Sequence, residues 1–141
     1  MLNFYDTKRV FERLTLIKFQ PLLKEIGKAI RDSIQAKTSR GVDTSGKRFS
    51  PYTPIYRRMK AFKGLYPPVN LKLTGQMLGD LSQTENDREC RVGFKTTKSA
   101  EKATYNQEGS TPRHFFDISP EANKEIDKLV NEFINDIFKG I

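Results

Sequence analysis

Few residues in this chain could make or break a bond. His114 is the sole histidine and Cys90 the sole cysteine of 141 residues. Catalysis by an imidazole needs an orienting group and a nucleophile beside it, and Arg113 and Phe115 supply neither. His114 is therefore read as structural or interfacial, although Ser110 and Asp117 lie close in sequence. One histidine and one cysteine do not make a zinc site by any standard spacing, and a single cysteine closes no disulfide within the chain. Glu101, Glu108 and Asp117 are read first as surface acids, and only in principle as a set of carboxylates around a metal. Asp43-Thr44-Ser45-Gly46 looks like the start of a calcium loop, but the later ligands are missing. No phosphate-binding loop, dinucleotide fingerprint or CxxC pair is present. No cofactor, no metal and no enzymatic activity are expected.

Charge is the stronger signal. The formal net charge is +8. Residues 1–36 carry seven basic and four acidic side chains, net +3, and residues 37–72 carry nine basic and one acidic, net +8. Residues 73–116 balance at six and six, and residues 117–141 hold three basic and six acidic, net −3. A basic middle segment can neutralise phosphates, can meet an acidic surface on a neighbouring subunit, or can simply keep a loop solvated. Its densest part is Arg57, Arg58, Lys60 and Lys63, interleaved with Tyr52, Tyr56, Phe62 and Tyr66. Aromatic rings spaced among cations suit base stacking, yet Phe62 shares a helical side with Ile55 and Met59 and is read as core. A small basic nucleic-acid-binding protein is thus one functional reading.

These side chains must be held by a modest core. Hydrophobic residues make up 36% of the chain, enough for one domain spanning 1–141. No apolar run approaches the roughly 18 residues of a membrane span, and the charged N-terminus does not look like a secretory signal, so a cytoplasmic, reducing setting is expected.

Local patterns set the elements. Asp6 or Thr7 is expected to cap a first helix carrying Val10, Phe11, Leu14 and Ile17, and Pro21 to kink or restart it. Leu22, Leu23, Ile26, Ala29, Ile30 and Ile34 then form one apolar face. Residues 38–53 read as a turn-rich loop, and 38–72 as an extended basic loop region, with 38–53 and 63–72 expected to be ordered only by partners. Thr53 and Pro54 should start a short basic helix over 54–62, with Ile55 on its apolar side. Thr74 should cap a helix over 75–81. A hairpin follows, with arms at 82–85 and 88–95 and Asn86-Asp87 in the turn. In its second arm Cys90, Val92 and Phe94 alternate with Glu89 and Arg91, which makes Cys90 a small buried hydrophobe. Residues 95–98 read as a polar turn, 100–107 as a short helix ending at Gly109, and 113–118 as extended chain. Ser119-Pro120-Glu121 begins the clearest helix, where Ile126, Leu129, Val130, Phe133, Ile134, Ile137 and Phe138 recur at steps of three and four. On this reading Ile134 is buried, and a charge there would cost roughly several kcal/mol. The fold class is α+β: long N-terminal and C-terminal helices on a small antiparallel sheet, with long basic loops.

The order of motifs resembles the tailed-bacteriophage virion morphogenesis, or tail completion, proteins. The matching pieces are Asp43-Thr44-Ser45-Gly46-Lys47-Arg48-Phe49-Ser50-Pro51-Tyr52, the basic segment ending Lys60-Ala61-Phe62-Lys63, and Leu73-Thr74-Gly75-Gln76-Met77-Leu78. Val92-Gly93-Phe94, Ala103-Thr104-Tyr105-Asn106-Gln107-Glu108-Gly109 and Arg113-His114-Phe115-Phe116 follow, before the closing amphipathic helix. Order and approximate spacing agree over residues 20–138. Phe49 stands where the family more often has tryptophan, Asn106 where it often has histidine, and His114 where it has proline. Met77 and Asp80 replace the usual leucine and serine of the Thr-Gly turn. The resemblance implies a structural protein in a homo-oligomeric ring that joins head to tail, without enzymatic activity. Its setting would be the virion neck, and the host cytoplasm during assembly. Partners would be the head–tail connector, the tail terminator or the tail tube, with DNA passing through the lumen and no membrane. Lys47, Arg48, Arg57, Arg58, Lys60 and Lys63 are then candidate subunit-interface or DNA-facing residues. A subunit contact is favoured, since tight phosphate binding would hinder passing DNA. Gly46, Phe49, Pro51, Thr74, Gly75, Gly109, Pro112 and Phe115 are the structural positions of the motifs.

Overall fold

The computed structural model describes residues 4–57, 71 and 75–139. Its elements run α1 (Phe4–Thr15), α2 (Gln20–Ser39), α3 (Pro54–Arg57), α4 (Gln76–Gly79), β1 (Leu81–Glu85), β2 (Cys90–Phe94), α5 (Thr97–Glu108) and α6 (Pro120–Lys139). The fold is α+β, with helices toward both ends of the chain and a two-stranded antiparallel sheet among the described residues.

The N-terminal helical stretch breaks where a ring-locked proline demands it. Pro21 sits in the first turn of α2, and residues 16–19 separate α2 from α1. α1 begins at Phe4, so Asp6 and Thr7 lie within its first turn rather than capping it. No side chain of Phe19 caps α2. Instead Asp87, in the hairpin turn, accepts the Gln20 N–H at 3.1 Å, a cap supplied from 67 residues away.

β1 and β2 pair in the register Leu81 with Phe94, Gln83 with Val92 and Glu85 with Cys90. The Asn86 side chain accepts the N–H groups of Arg88 at 2.7 Å and Glu89 at 3.0 Å, which closes the turn. The alternation holds: Cys90, Val92 and Phe94 are half-buried and Arg91 is exposed. Leu81 opens β1 rather than closing the preceding helix. α2 covers the sheet, tied there by Gln83 Nε2 donating to the Lys24 carbonyl at 2.9 Å.

α6 starts at Pro120 as its signal predicts, with Ser119 Oγ accepting the Ala122 N–H at 3.1 Å. It lies antiparallel to α2. The contacts run from Phe19 against Phe133, ring centroids 5.8 Å apart, through Ser33 and Ser119 at 2.7 Å, to Lys37 and Glu121 at 3.1 Å. The core gathers Ile34, Phe49, Tyr52, Leu71, Met77, Leu78, Leu81, Ala103 and Phe115.

Three expectations about packing change. Ile134 is 42% exposed, so the apolar stripe of α6 is wider than the surface that α2 covers. A charge there meets water, and the several-kcal/mol cost expected from the sequence does not apply to the single chain. Ile55 is exposed rather than packed on the apolar side of α3; Tyr52 and Leu71 fill the core at that end, with Tyr52 Oη accepting the Leu71 N–H at 2.9 Å. The remainder of the helix expected over 54–62 lies outside the described residues. The polar turn expected over 95–98 shortens to a bend at 95–96. α5 begins at Thr97, capped by Thr96 Oγ1, which accepts the Ser99 N–H at 3.2 Å.

Gly27 lets α2 lie close against the sheet. A Cβ there would overlap Cys90 Sγ and stand 3.1 Å from Gln83 Nε2. Gly27→Ala should lower stability by about 1–3 kcal/mol in urea unfolding, since the backbones of α2 and β2 would have to separate. Much of that loss should return in Gly27→Ala/Cys90→Ala, which removes the opposing sulfur.

Candidate functional site

Of the two segments read from sequence as needing a partner for order, 38–53 is bonded within its own chain, and 63–72, Leu71 apart, lies outside the described residues. Asp43 organises residues 43–47: one carboxylate oxygen accepts from Ser45 N at 2.9 Å, Ser45 Oγ at 2.7 Å and Lys47 N at 2.9 Å. Val42 and Arg48 pair across it in a single antiparallel bridge, and Phe49 N donates to the Gly41 carbonyl at 2.9 Å. Gly46 takes a φ of +94°, which a residue bearing a Cβ adopts only under strain. Partial burial pushes the Asp43 carboxyl up, but the Ser45 hydroxyl and the backbone N–H groups of Lys47, Ser45 and Gly46 outweigh it and hold it below its ordinary value.

This loop is clamped from the other side by residues 107–116. Arg113 is only 8% exposed. Its Nε donates to the Ser50 carbonyl at 3.1 Å and its Nη2 to the Pro51 carbonyl at 3.0 Å, with the guanidinium carbon 5.2 Å from the centre of the Tyr52 ring. The His114 carbonyl accepts from Thr44 N at 2.9 Å and Thr44 Oγ1 at 2.8 Å. Gln107 Oε1 accepts the N–H groups of both Phe115 and Phe116 at 3.1 Å, while its Nε2 donates to Asp117 at 2.9 Å. Phe115 is thereby driven into the core beside Phe49. Gly109 ends α5 where a Cβ would overlap the Tyr105 carbonyl oxygen, so a side chain is excluded there.

The sequence-predicted residues divide accordingly. Phe49 and Phe115 are core; Gly46, Pro51, Pro112, Lys47 and Arg48 are exposed, and Gly75 occupies the N-cap position of α4 with a φ of +78°. Arg57 ends α3. Arg58, Lys60, Lys63 and Thr74 lie outside the described residues. Arg113 and Gln107 were quoted within motifs but not singled out. The signal for Arg113 was Phe115 two residues on, since in extended chain residues two apart face the same way and Arg113 is carried inward with it.

The chemistry of this arrangement is positioning. The Asp80 carboxyl accepts from Ser99 Oγ at 2.6 Å and Thr96 Oγ1 at 2.7 Å, and those bonds hold it below its ordinary value. The pair of hydroxyls is thereby spent on locking the start of α5 to the end of α4. Among the described residues no three of His, Cys, Asp and Glu gather as metal ligands, and Glu101, Glu108 and Asp117 do not converge. Burial, and the Glu85 charge, push the Cys90 thiol up. A cleft of about 560 Å³ lies beside the clamp, walled by Tyr52, Leu71, Met77, Lys102, Tyr105 and Arg113. Among the described residues no helix is long and apolar enough to cross a membrane. Compared with known proteins, the chain matches no family model, no curated protein and no solved structure.

Two outcomes are expected. Arg113→Lys should cost about 2 kcal/mol in chemical unfolding, because an ammonium cannot reproduce the planar fork that reaches two successive carbonyls. Asp43 makes stability acid-sensitive. Its folded carboxyl titrates below the unfolded value of about 3.9, so its contribution is complete above that value and is lost as pH falls through the folded one. Thermal melts from pH 6 to pH 3 should therefore fall less steeply for Asp43→Asn than for the parent.

Proposed function

We propose that this chain is a structural subunit of the neck of a tailed bacteriophage, a tail completion protein that forms part of a ring joining head to tail. The observation that carries the reading is the convergence of the motifs behind the resemblance. Residues 44 and 50–51 bond to residues 113–114, and Gln107 bonds to residues 115–116. Segments up to 70 residues apart thus join in one small architecture, which supports reading the motifs as one set. On this reading the chain works without cofactor, membrane or bond-making chemistry. Its partners are copies of itself, the connector and the tail terminator or tube, in the virion neck and beforehand in the host cytoplasm. The exposed Lys47 and Arg48 and the basic residues 57–63 form one side of a contact whose other side is acidic.

A second reading, a small basic nucleic-acid-binding protein, draws on Lys24, Lys28 and Arg31. These follow at i, i+4 and i+7 along α2 and line a shallow groove with Gln83 and Glu85.

Arg57→Glu/Arg58→Glu/Lys60→Glu should abolish joining of filled heads to tails in an assembly assay, while circular dichroism of the isolated chain stays that of the parent. Full joining by the triple variant would remove the basic segment from the interface. Binding of duplex DNA by the parent, with an affinity that collapses as salt rises, would favour the second reading.

A further inference from the structure

The helical end of the molecule leaves apolar surface uncovered. α1 presents Phe11 and Leu14 one turn apart, and both are exposed, Phe11 to 64%. No other described element runs along α1. Leu16, just beyond it, is exposed as well. The link then returns to the body at Phe19, whose ring meets Phe133 of α6. The next residues of that same helix expose a second stripe, Ile134 and Phe138, the latter to 65%. The two stripes together expose on the order of several hundred Å² of apolar surface, and apolar surface of that extent often serves binding.

Charge distinguishes the two stripes. α1 carries Lys8, Arg9 and Arg13 against Asp6 and Glu12, net +1. α6 carries Glu121, Glu125, Asp127, Glu132 and Asp136 against Lys124, Lys128 and Lys139, net −2. Lys8 lies on the Phe11 side of α1, three residues before it. Asp127 lies on the Ile134 side of α6, seven residues before it. α1 against α1, or α6 against α6, would oppose like net charges; α1 against α6 pairs a net +1 with a net −2.

We propose that α1 of one copy of this chain lies along the C-terminal half of α6 of the next copy, seating Phe11 and Leu14 on Ile134 and Phe138. The inference rests on the ring reading above and supplies its contact. Because the two surfaces differ, the contact is head-to-tail. Repeated from copy to copy with a closing rotation, it builds a ring rather than a two-fold pair.

Sedimentation velocity on the full chain tests this with two variants, Phe11→Glu/Leu14→Glu and Ile134→Glu/Phe138→Glu. The parent should assemble as concentration rises. Each variant alone should need at least about tenfold more protein to assemble. Mixed in equal amounts, they should form a complex of twice the monomer mass, since one retains a sound α6 and the other a sound α1. If either glutamate variant loses its circular dichroism, Phe11→Ser and Phe138→Ser replace them. A parent that stays monomeric at every concentration overturns the contact and leaves the neck reading to the joining assay. Variants that assemble like the parent place the contact elsewhere and leave the ring intact. Loss of assembly in only one variant, or no complex on mixing, overturns the head-to-tail pairing.

Discussion

A guanidinium taken out of water, with no carboxylate at its side among the described residues, governs this fold. Arg113 is buried, and it bonds the carbonyls of Ser50 and Pro51 and stands over the face of Tyr52. Desolvating a charge is tolerated only where fixed dipoles replace the lost water. Two carbonyls in sequence can do that only if the chain bearing them is rigid. The rigidity comes from Asp43, whose carboxylate gathers the tight turn, and from Thr44, which bonds the loop to the residue next to Arg113. The guanidinium, the turn and the buried Phe49 and Phe115 therefore depend on one another. Removal of any one leaves a polar group or an apolar ring in the wrong solvent.

The same dependence explains what was legible in the sequence. Elements specified by neighbours in the chain could be read: Pro21 restarting α2, Ser119-Pro120-Glu121 opening α6, and the alternation around Cys90, Val92 and Phe94. Elements specified across the fold could not. The first turn of α5 looked like a polar turn because its cap, Thr96, is itself held by Asp80, sixteen residues away. Residues 38–53 looked disordered because the groups that hold them, Arg113 and His114, lie some sixty residues on. Periodicity marked Ile134 as one of an apolar set, but it reports only that a stripe exists. What covers the stripe depends on where α2 happens to lie. For the site, the motif residues were legible as a set and their division of labour was not. Phe49 and Phe115 turned inward while Lys47 and Arg48 stayed in water, a split set by the clamp.

The two ends of the molecule therefore meet solvent on different terms. At the loop end much of the backbone is bonded within the chain, so a partner meeting Lys47 and Arg48 finds a preformed surface and little ordering entropy is lost on contact. At the helical end the exposed groups are apolar side chains on helices whose backbone bonds are already made. Covering them releases water without breaking hydrogen bonds. A charged, prefolded loop favours specificity and rapid encounter, whereas an apolar helix stripe favours lasting contact.

On the proposed reading as an assembly subunit, the chain needs both properties, and needs them on separate surfaces. A single patch that was both sticky and promiscuous would join copies in the wrong order. Here the sticky surface is divided again by charge: its α1 part lies in a stretch with a basic excess, and its α6 part lies in an acidic helix. That division disfavours pairing of like with like, which would stop growth at two copies. Under the contact proposed above, the unlike pairing would leave one free α1 and one free α6 after each addition, so that an arc could close on itself.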